Sequence, residues 1–239
     1  MPTDPLSRLA PRPRSIRVKD PDARCRGNVE SRTDPSLPAQ GYTLDIDADR
    51  AVLVHADSAG LRYGLQTVSA LRAADGSLPA VAIEDWPDFA VRGAMLDVSR
   101  DRVPTRDTLA RLVKILSLAR YNHLQLYIEH TFAYVDHEDV WRNASPITPS
   151  DLIWLDDLCA EHGIELVANQ NCFGHMGRWL ALDRYAGQAE CPGGTELVPG
   201  LRWPPGVLAP TPANAEFALS LVREQMEYMR SRTVKIGRA

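Results

Sequence analysis

The sequence predicts an α/β chain in which a small α+β domain, residues 1–88, precedes a run of parallel βα units over residues 89–239. Three observations lead there. Up to Asp88, short alternating strand patterns surround a single helix pattern. From Phe89 onward, apolar strand segments at Val91–Val98, Leu124–Glu129 and Ile164–Gln170 alternate with helix patterns. The final stretch, Thr233–Ala239, then reads as a fourth strand that stops at its C-terminal tip. In parallel α/β barrels the strand tips and the loops after them carry the chemistry, so candidate residues are sought there.

The first domain is built as follows. Ser15–Lys19 is a short strand candidate, and Pro, Gly, Asn and Asp make Asp20–Gln40 largely turn-like. Alternation of Tyr42, Leu44 and Ile46 marks a half-buried strand over Gly41–Asp47. A turn at Asp49-Arg50 and a second strand at Ala51–His55 complete a hairpin. Ser58–Leu71 is a helix capped by Asp57 or Ser58, with Leu61, Leu65, Val68 and Leu71 on one face. Leu78–Glu84 is a further strand, and Asp85-Trp-Pro-Asp88 breaks the pattern.

In the second part, the mostly apolar Val91–Val98 suits a strand buried on both faces. Thr105 can cap a helix reaching Ala119, with Leu109, Leu112, Val113 and Leu116 as its stripe. His123–His130 is the second strand. Thr148–His162 is a helix with a Thr-Pro start and a Gly163 stop. Ile164–Gln170 is the third strand, Gly187–Pro212 a long Gly- and Pro-rich loop, and Asn214–Arg230 a last helix. Strands alternating with helices imply right-handed parallel crossovers.

Composition narrows the function classes. Hydrophobic content of 44% and charged content of 24% are ordinary for a soluble globular protein. A net charge of −4 gives no footprint for nucleic acid. No apolar run nears the ~20 residues of a membrane helix. Met1–Ala10 has no apolar signal core, which points to the cytoplasm without excluding export. The 4 cysteines, Cys25, Cys159, Cys172 and Cys191, form no CxxC pair and read as reduced thiols.

The strand tips hold the candidates. At the first, Arg100 reads either as a planar donor fork for sugar hydroxyls or a carboxylate, or as a surface salt bridge to Asp97 or Asp101. Glu129 and His130 stand at the second, with Asp136, His137 and Glu138 beyond. Without HExxH or HxH spacing, a polar network lining a pocket is the better reading than a metal site. Asn169, Gln170 and Asn171 at the third tip are amides able to donate to and accept from sugar hydroxyls. His175 follows Gly174, which allows a sharp turn of the imidazole toward the strand axis; the other reading is a hydrogen-bonded loop histidine, and Trp179 reads as core. There is no G-x-S-x-G elbow and no phosphate-cradling glycine loop.

Ala59–Thr67 (AGLRYGLQT), Arg92–Arg100 (RGAMLDVSR), Tyr121–Tyr127 (YNHLQLY) and Phe173-Gly-His175 together resemble glycoside hydrolase family 20, the β-N-acetylhexosaminidases. The resemblance covers most of Gly41–Gly237 and implies a small α+β domain followed by the first half of a (β/α)8 barrel. It implies removal of terminal β-linked N-acetylhexosamine by a retaining mechanism in which the substrate's own acetamido oxygen attacks the anomeric carbon. Arg100 then grips hydroxyls of the sugar, with Asn171 beside it, and His175 and Glu129 support the catalytic acid. The motif departs from the family's usual acidic strings at Tyr127–His130 and Asn169–His175.

An adjacent Asp–Glu pair is expected just after Gly237, where only Arg238 and Ala239 follow. The expectation is therefore a chain inactive by itself, with no metal or organic cofactor, and a glycan containing N-acetylhexosamine as its ligand. A catalytically dead sugar-binding or scaffolding module is the alternative. An open barrel edge also offers a route to self-association.

Overall fold

The computed structural model describes residues 5–100 and 102–236, so Asp101 and Gly237 lie outside the described residues. The chain forms two compact units: one runs through Arg92 and includes Leu118–Arg120, and the other holds Gly93–Ser117 and the chain from Tyr121 on.

The first unit contains β1 (Ser15–Cys25), β2 (Val29–Thr33), β3 (Tyr42–Ile46), β4 (Ala51–His55), α1 (Ser58–Leu71) and β5 (Leu78–Asp85). The sheet order is β1-β5-β3-β4-β2, antiparallel except where β2 runs beside β4. Leu44, Ile46, Leu53, Leu71 and Leu78 are fully buried in its core. Ordered strand extends further than the turn-rich composition of Asp20–Gln40 suggests. Asp20 Oδ1 accepts the amides of Asp22 (2.9 Å) and Ala23 (3.3 Å), folding Pro21 into a side turn before pairing resumes at Arg24. Because β1 is an edge strand, the missing amide of Pro21 costs no ladder bond.

The buried face of α1 also differs from its leucine stripe. Leu65 is 47% exposed, while Gly60, Tyr63, Gly64, Thr67, Val68 and Leu71 face inward. The two glycines let the helix lie directly on the sheet. A Cβ on Gly60 would come 2.2 Å from the carbonyl oxygen of Gly41, and one on Gly64 would come 2.3 Å from Leu53 Cδ1. Close approach at the two glycines and burial of Tyr63, Val68 and Leu71 together fix this face. As expected, Asp57 caps the helix, its Oδ1 accepting the Gly60 amide at 2.8 Å.

The second unit comprises β6 (Gly93–Asp97), α2 (Arg106–Leu118), β7 (His123–Ile128), α3 (Glu138–Trp141), α4 (Pro149–Glu161) and β8 (Glu165–Gln170). It continues with α5 (Gly177–Leu180), α6 (Asp183–Ala186), β9 (Thr195–Val198), β10 (Leu201–Trp203), α7 (Pro212–Glu227) and β11 (Val234–Ile236). Its main sheet has four strands in the order β11-β8-β7-β6, all parallel and following chain order. Leu124, Leu126 and Ile128 of β7 join Leu109, Val113 and Leu116 of α2 and Leu152 and Leu155 of α4 in one buried cluster. The α4 start is a full capping box between Thr148 and Asp151, and Gly163 ends it at φ 70°.

Two expectations fail here. β6 is not buried on both faces: Gly93, Met95 and Asp97 are exposed, because β6 pairs only with β7 and nothing among the described residues covers that face. The segment Gly187–Pro212 is also not loop throughout. Val198-Pro-Gly-Leu201 closes β9 onto β10, with Gly200 at φ 81° as a type II turn requires.

Candidate functional site

The period of two along β7 places Tyr127 and the following Glu129 on the same side of the strand. Glu129 is the centre of the site. Arg100 Nη1, from the tip of β6, donates to its Oε1 at 2.5 Å; the Tyr127 hydroxyl donates to the same oxygen at 2.9 Å; His175 Nδ1, beyond β8, lies 3.4 Å from it. The sequence-derived candidates Arg100, Glu129 and His175 therefore meet around one carboxylate at three successive strand tips. Asp97 Oδ2 is 3.7 Å from Arg100 Nε, a looser contact than the pair with Glu129.

Exposure divides the pair. The Glu129 side chain is 10% exposed and that of Arg100 is 54% exposed, so the carboxylate is sunk while the guanidinium faces water. The hydrogen bond to Glu129 raises the Arg100 pKa, so Arg100 is cationic at any accessible pH. The Arg100 guanidinium also lies over the Tyr127 ring, 5.6 Å from its centroid, and its five donors exceed what one carboxylate can accept. Burial raises the Tyr127 pKa, and Glu129 as its acceptor adds to the shift, so the phenol is a donor at neutral pH.

The backbone of Glu129 is held as firmly as its side chain. Its amide donates to Ser99 Oγ at 2.8 Å, and its carbonyl accepts from Trp179 Nε1 at 2.8 Å and Gln170 Nε2 at 3.1 Å. Trp179 is fully buried, in contact with the rings of Tyr134, His137, Tyr185 and Phe217.

The three amides at the third tip are all buried and part company. Asn169 donates to Gln125 Oε1 at 2.8 Å and to Met95 Sδ at 3.2 Å. Gln170, on the opposite face, accepts from the Tyr134 hydroxyl and from Gln225 Nε2. Asn171 alone reaches the Arg100 group, donating to the Tyr127 hydroxyl; its Oδ1 is buried without a partner among the described residues. The turn after β8 is made by His175 itself, at φ 57°, and not by Gly174. The acidic and histidine residues near the second tip also separate. His130 lines a different pocket with Arg102 and Asn143, while His137 bonds the Tyr185 hydroxyl at 2.7 Å.

Arg100, Glu129, His175, Arg178, Glu190 and Trp203 line an open cleft of about 680 Å³. Tyr127 and Trp203 were not singled out from sequence. The first was legible as the residue two before Glu129 on an alternating strand; the second lay hidden in a Gly/Pro-rich stretch. The cleft offers donors from Arg100 and carboxylates from Glu129 and Glu190, a set matched to a neutral polyhydroxylated ligand.

Residues 6–86 match the profile of glycosyl hydrolase family 20, domain 2. The β-hexosaminidase subunit alpha of Bos taurus is 28% identical over 163 residues, covering 61% of this chain and 30% of that protein. A β-N-acetylhexosaminidase of Cellulomonas fimi is 32% identical over 131 residues, 52% of this chain and 26% of its own length. Among solved structures, the family 20 β-N-acetylhexosaminidase of Streptomyces coelicolor A3(2) superposes with a TM-score of 0.77 at 21% identity, over 98% of this chain and 60% of that one. A mutant Streptomyces plicatus β-hexosaminidase in complex with its product N-acetylglucosamine gives 0.74 at 20% identity, over 97% and 59%. The chain spans at most 30% of these curated relatives and 60% of these solved chains.

The fold is thus the mixed α/β fold of a class of glycosidases. Residues 6–86 carry the domain 2 profile of glycosyl hydrolase family 20, and the chain as a whole shares the fold of solved family 20 β-N-acetylhexosaminidases.

Proposed function

We propose that the chain comprises a small α+β domain, residues 1–88, and the first half of a (β/α)8 barrel, residues 89–239, and that the cleft is part of the site for a terminal β-linked N-acetylhexosamine. Arg100 donates to ring hydroxyls. Glu129 fixes Arg100 and orients His175, whose Nδ1 faces the carboxylate, leaving Nε2 for a catalytic acid. Asn171 serves the sugar through Tyr127. The single observation that carries this reading is the convergence of Arg100, Tyr127 and His175 on Glu129.

The parent reaction is substrate-assisted, retaining hydrolysis, in which the acetamido group is the nucleophile and an adjacent Asp–Glu pair orients it and protonates the leaving oxygen. The carboxylates lining the cleft, Glu129 and Glu190, are not such a pair, and Glu129 is already committed to its donors. No measurable hexosaminidase activity is therefore expected of the 239-residue polypeptide by itself, since loss of a general acid alone costs ~10²–10⁴-fold in rate. Further parallel strands, from more chain or from a second copy, would cover the open edges of β6 and β11. The second reading, a catalytically silent sugar-binding module, draws on the same intact Arg100 cleft.

Calorimetry with N-acetylglucosamine tests the site: binding that is lost in Arg100→Ala supports it, and the absence of heat in the wild-type chain refutes it. Release of p-nitrophenol from the aryl N-acetyl-β-glucosaminide by the isolated chain would overturn the claim of inactivity.

A further inference from the structure

We infer that Trp203 is the platform on which the cleft receives the second pyranose ring, the one linked to the reducing side of the bound N-acetylhexosamine. The inference rests on the sugar-binding reading of Arg100, Glu129 and His175 and deepens it. Trp203 lines the same cleft as those residues, and at 61% exposure it is the one tryptophan among the described residues that stands well into solvent. Trp179 is fully buried by comparison. An indole left in water carries a hydration cost that a covering apolar face would recover.

The ring's backbone is fixed in place before any ligand arrives. Trp203 pairs with Thr195 across the β9–β10 hairpin. Gly194, at φ 76°, passes so close beneath it that a Cβ there would sit 2.3 Å from the Trp203 carbonyl oxygen. Arg202 Nη1 reaches back to the Gly193 carbonyl at 2.8 Å. After Trp203 come Pro204 and Pro205, whose rings restrict the backbone. Gly206 then accepts the amide of Met176 at 2.9 Å, and Leu208 donates to Phe173 at 2.8 Å. Trp203 is therefore three residues from a strap tied to the residue next to His175. A platform fixed in this way loses little entropy when a ligand stacks on it.

The ligand class follows from the surroundings. A β-linked pyranose with equatorial substituents shows a face of axial C–H groups, which matches an indole ring, and an edge of hydroxyls. Arg178, Glu190 and Thr195 line the same cleft and can meet that edge. The deep wall, at Glu129, would hold the terminal sugar, and the rim, at Trp203, the next one.

The test is a titration of the 239-residue chain with N-acetylglucosamine and with its β-1,4-linked dimer, followed by calorimetry and by tryptophan fluorescence. The dimer should bind about 3- to 10-fold more tightly than the monosaccharide, the range that one aromatic stacking contact supplies. In Trp203→Ala that advantage should vanish while monosaccharide affinity changes less than about twofold; Trp203→Phe should keep part of it. Arg100→Ala should weaken both ligands alike. If the monosaccharide binds but the dimer binds no better, or if its advantage survives in Trp203→Ala, the platform is refuted and the sugar site stands. If neither sugar binds, the sugar site fails and the platform with it. Because Trp203 is exposed, circular dichroism of the variants should match the wild type.

Discussion

Replacing Gly60 with alanine should destabilise the first unit even though alanine is the better helix former. The added methyl carbon would lie 2.2 Å from the Gly41 carbonyl oxygen and 3.1 Å from its carbon. Comfortable carbon–oxygen contact begins near about 3.3 Å, so α1 must retreat by roughly 3.3 − 2.2 ≈ 1.1 Å. The obstacle is backbone, and the Gly41 oxygen is already engaged by the Ala56 amide at 3.0 Å, so it cannot swing aside cheaply. Overpacking of this kind costs about 1–3 kcal/mol. The retreat also strains the bond from the Gly60 amide to Asp57, part of a cap worth about 1 kcal/mol. Against this stands a helix-propensity gain of at most about 1 kcal/mol. The net loss is about 2 kcal/mol, a fall in Tm of about 10 °C for a unit of this size. Thermal unfolding by circular dichroism, with amide exchange at Tyr42–Ile46 to locate the change, would measure it. Gly27→Ala is the control, since a Cβ there meets nothing closer than 3.8 Å. A Gly60→Ala chain as stable as the wild type would refute the close-approach account of this helix.

Other expectations concern the second unit. Tyr134 is fully buried, donating to Gln170 and accepting from Gln225, so Tyr134→Phe should cost about 1–3 kcal/mol in urea unfolding by leaving those amides underused. Of the 4 thiols only Cys191 is exposed, and burial pushes Cys159 and Cys172 up to about 12. A thiol reagent at pH 8 should therefore modify Cys191 in the folded chain and reach the others only on denaturation. Burial pushes Asp151 up, but the hydroxyl and amide of Thr148 and then Arg106 outweigh it and hold the carboxyl below its usual range. A depressed folded-state pKa stabilises above the unfolded value, near 3.9, and is lost as pH falls through the folded one. Asp151→Asn should thus lower stability at pH 7 by about 1 kcal/mol and flatten its decline below about pH 4, as read by denaturant midpoints across pH.

The elements that were legible from sequence share a cause. Tyr42–Ile46, Ala51–His55 and Arg106–Leu118 have local periodicity strong enough to survive any tertiary setting. Of the α1 stripe, Leu61, Val68 and Leu71 pack on the core and only Leu65 turns outward; the glycines at Gly60 and Gly64 gave no signal because glycine has no hydrophobicity to show. The β9–β10 hairpin was hidden because prolines and glycines announce turns without revealing that residues on either side pair. Arg100, Glu129 and His175 were found because strand tips are a place chemistry is expected. The burial of Asn169 and Gln170 was not, since a string of three amides does not say which alternate to opposite faces.

The way Glu129 is held has a kinetic consequence. Its backbone partners are 30 residues away at Ser99, 41 at Gln170 and 50 at Trp179. None of these bonds can form by local winding of a helix or closure of a hairpin; each waits for a long loop to close, against its entropy. The cleft should consequently be among the last features of the second unit to appear during folding. A probe attached at its rim would report the arrival of the finished unit and stay silent through the helix formation that precedes it.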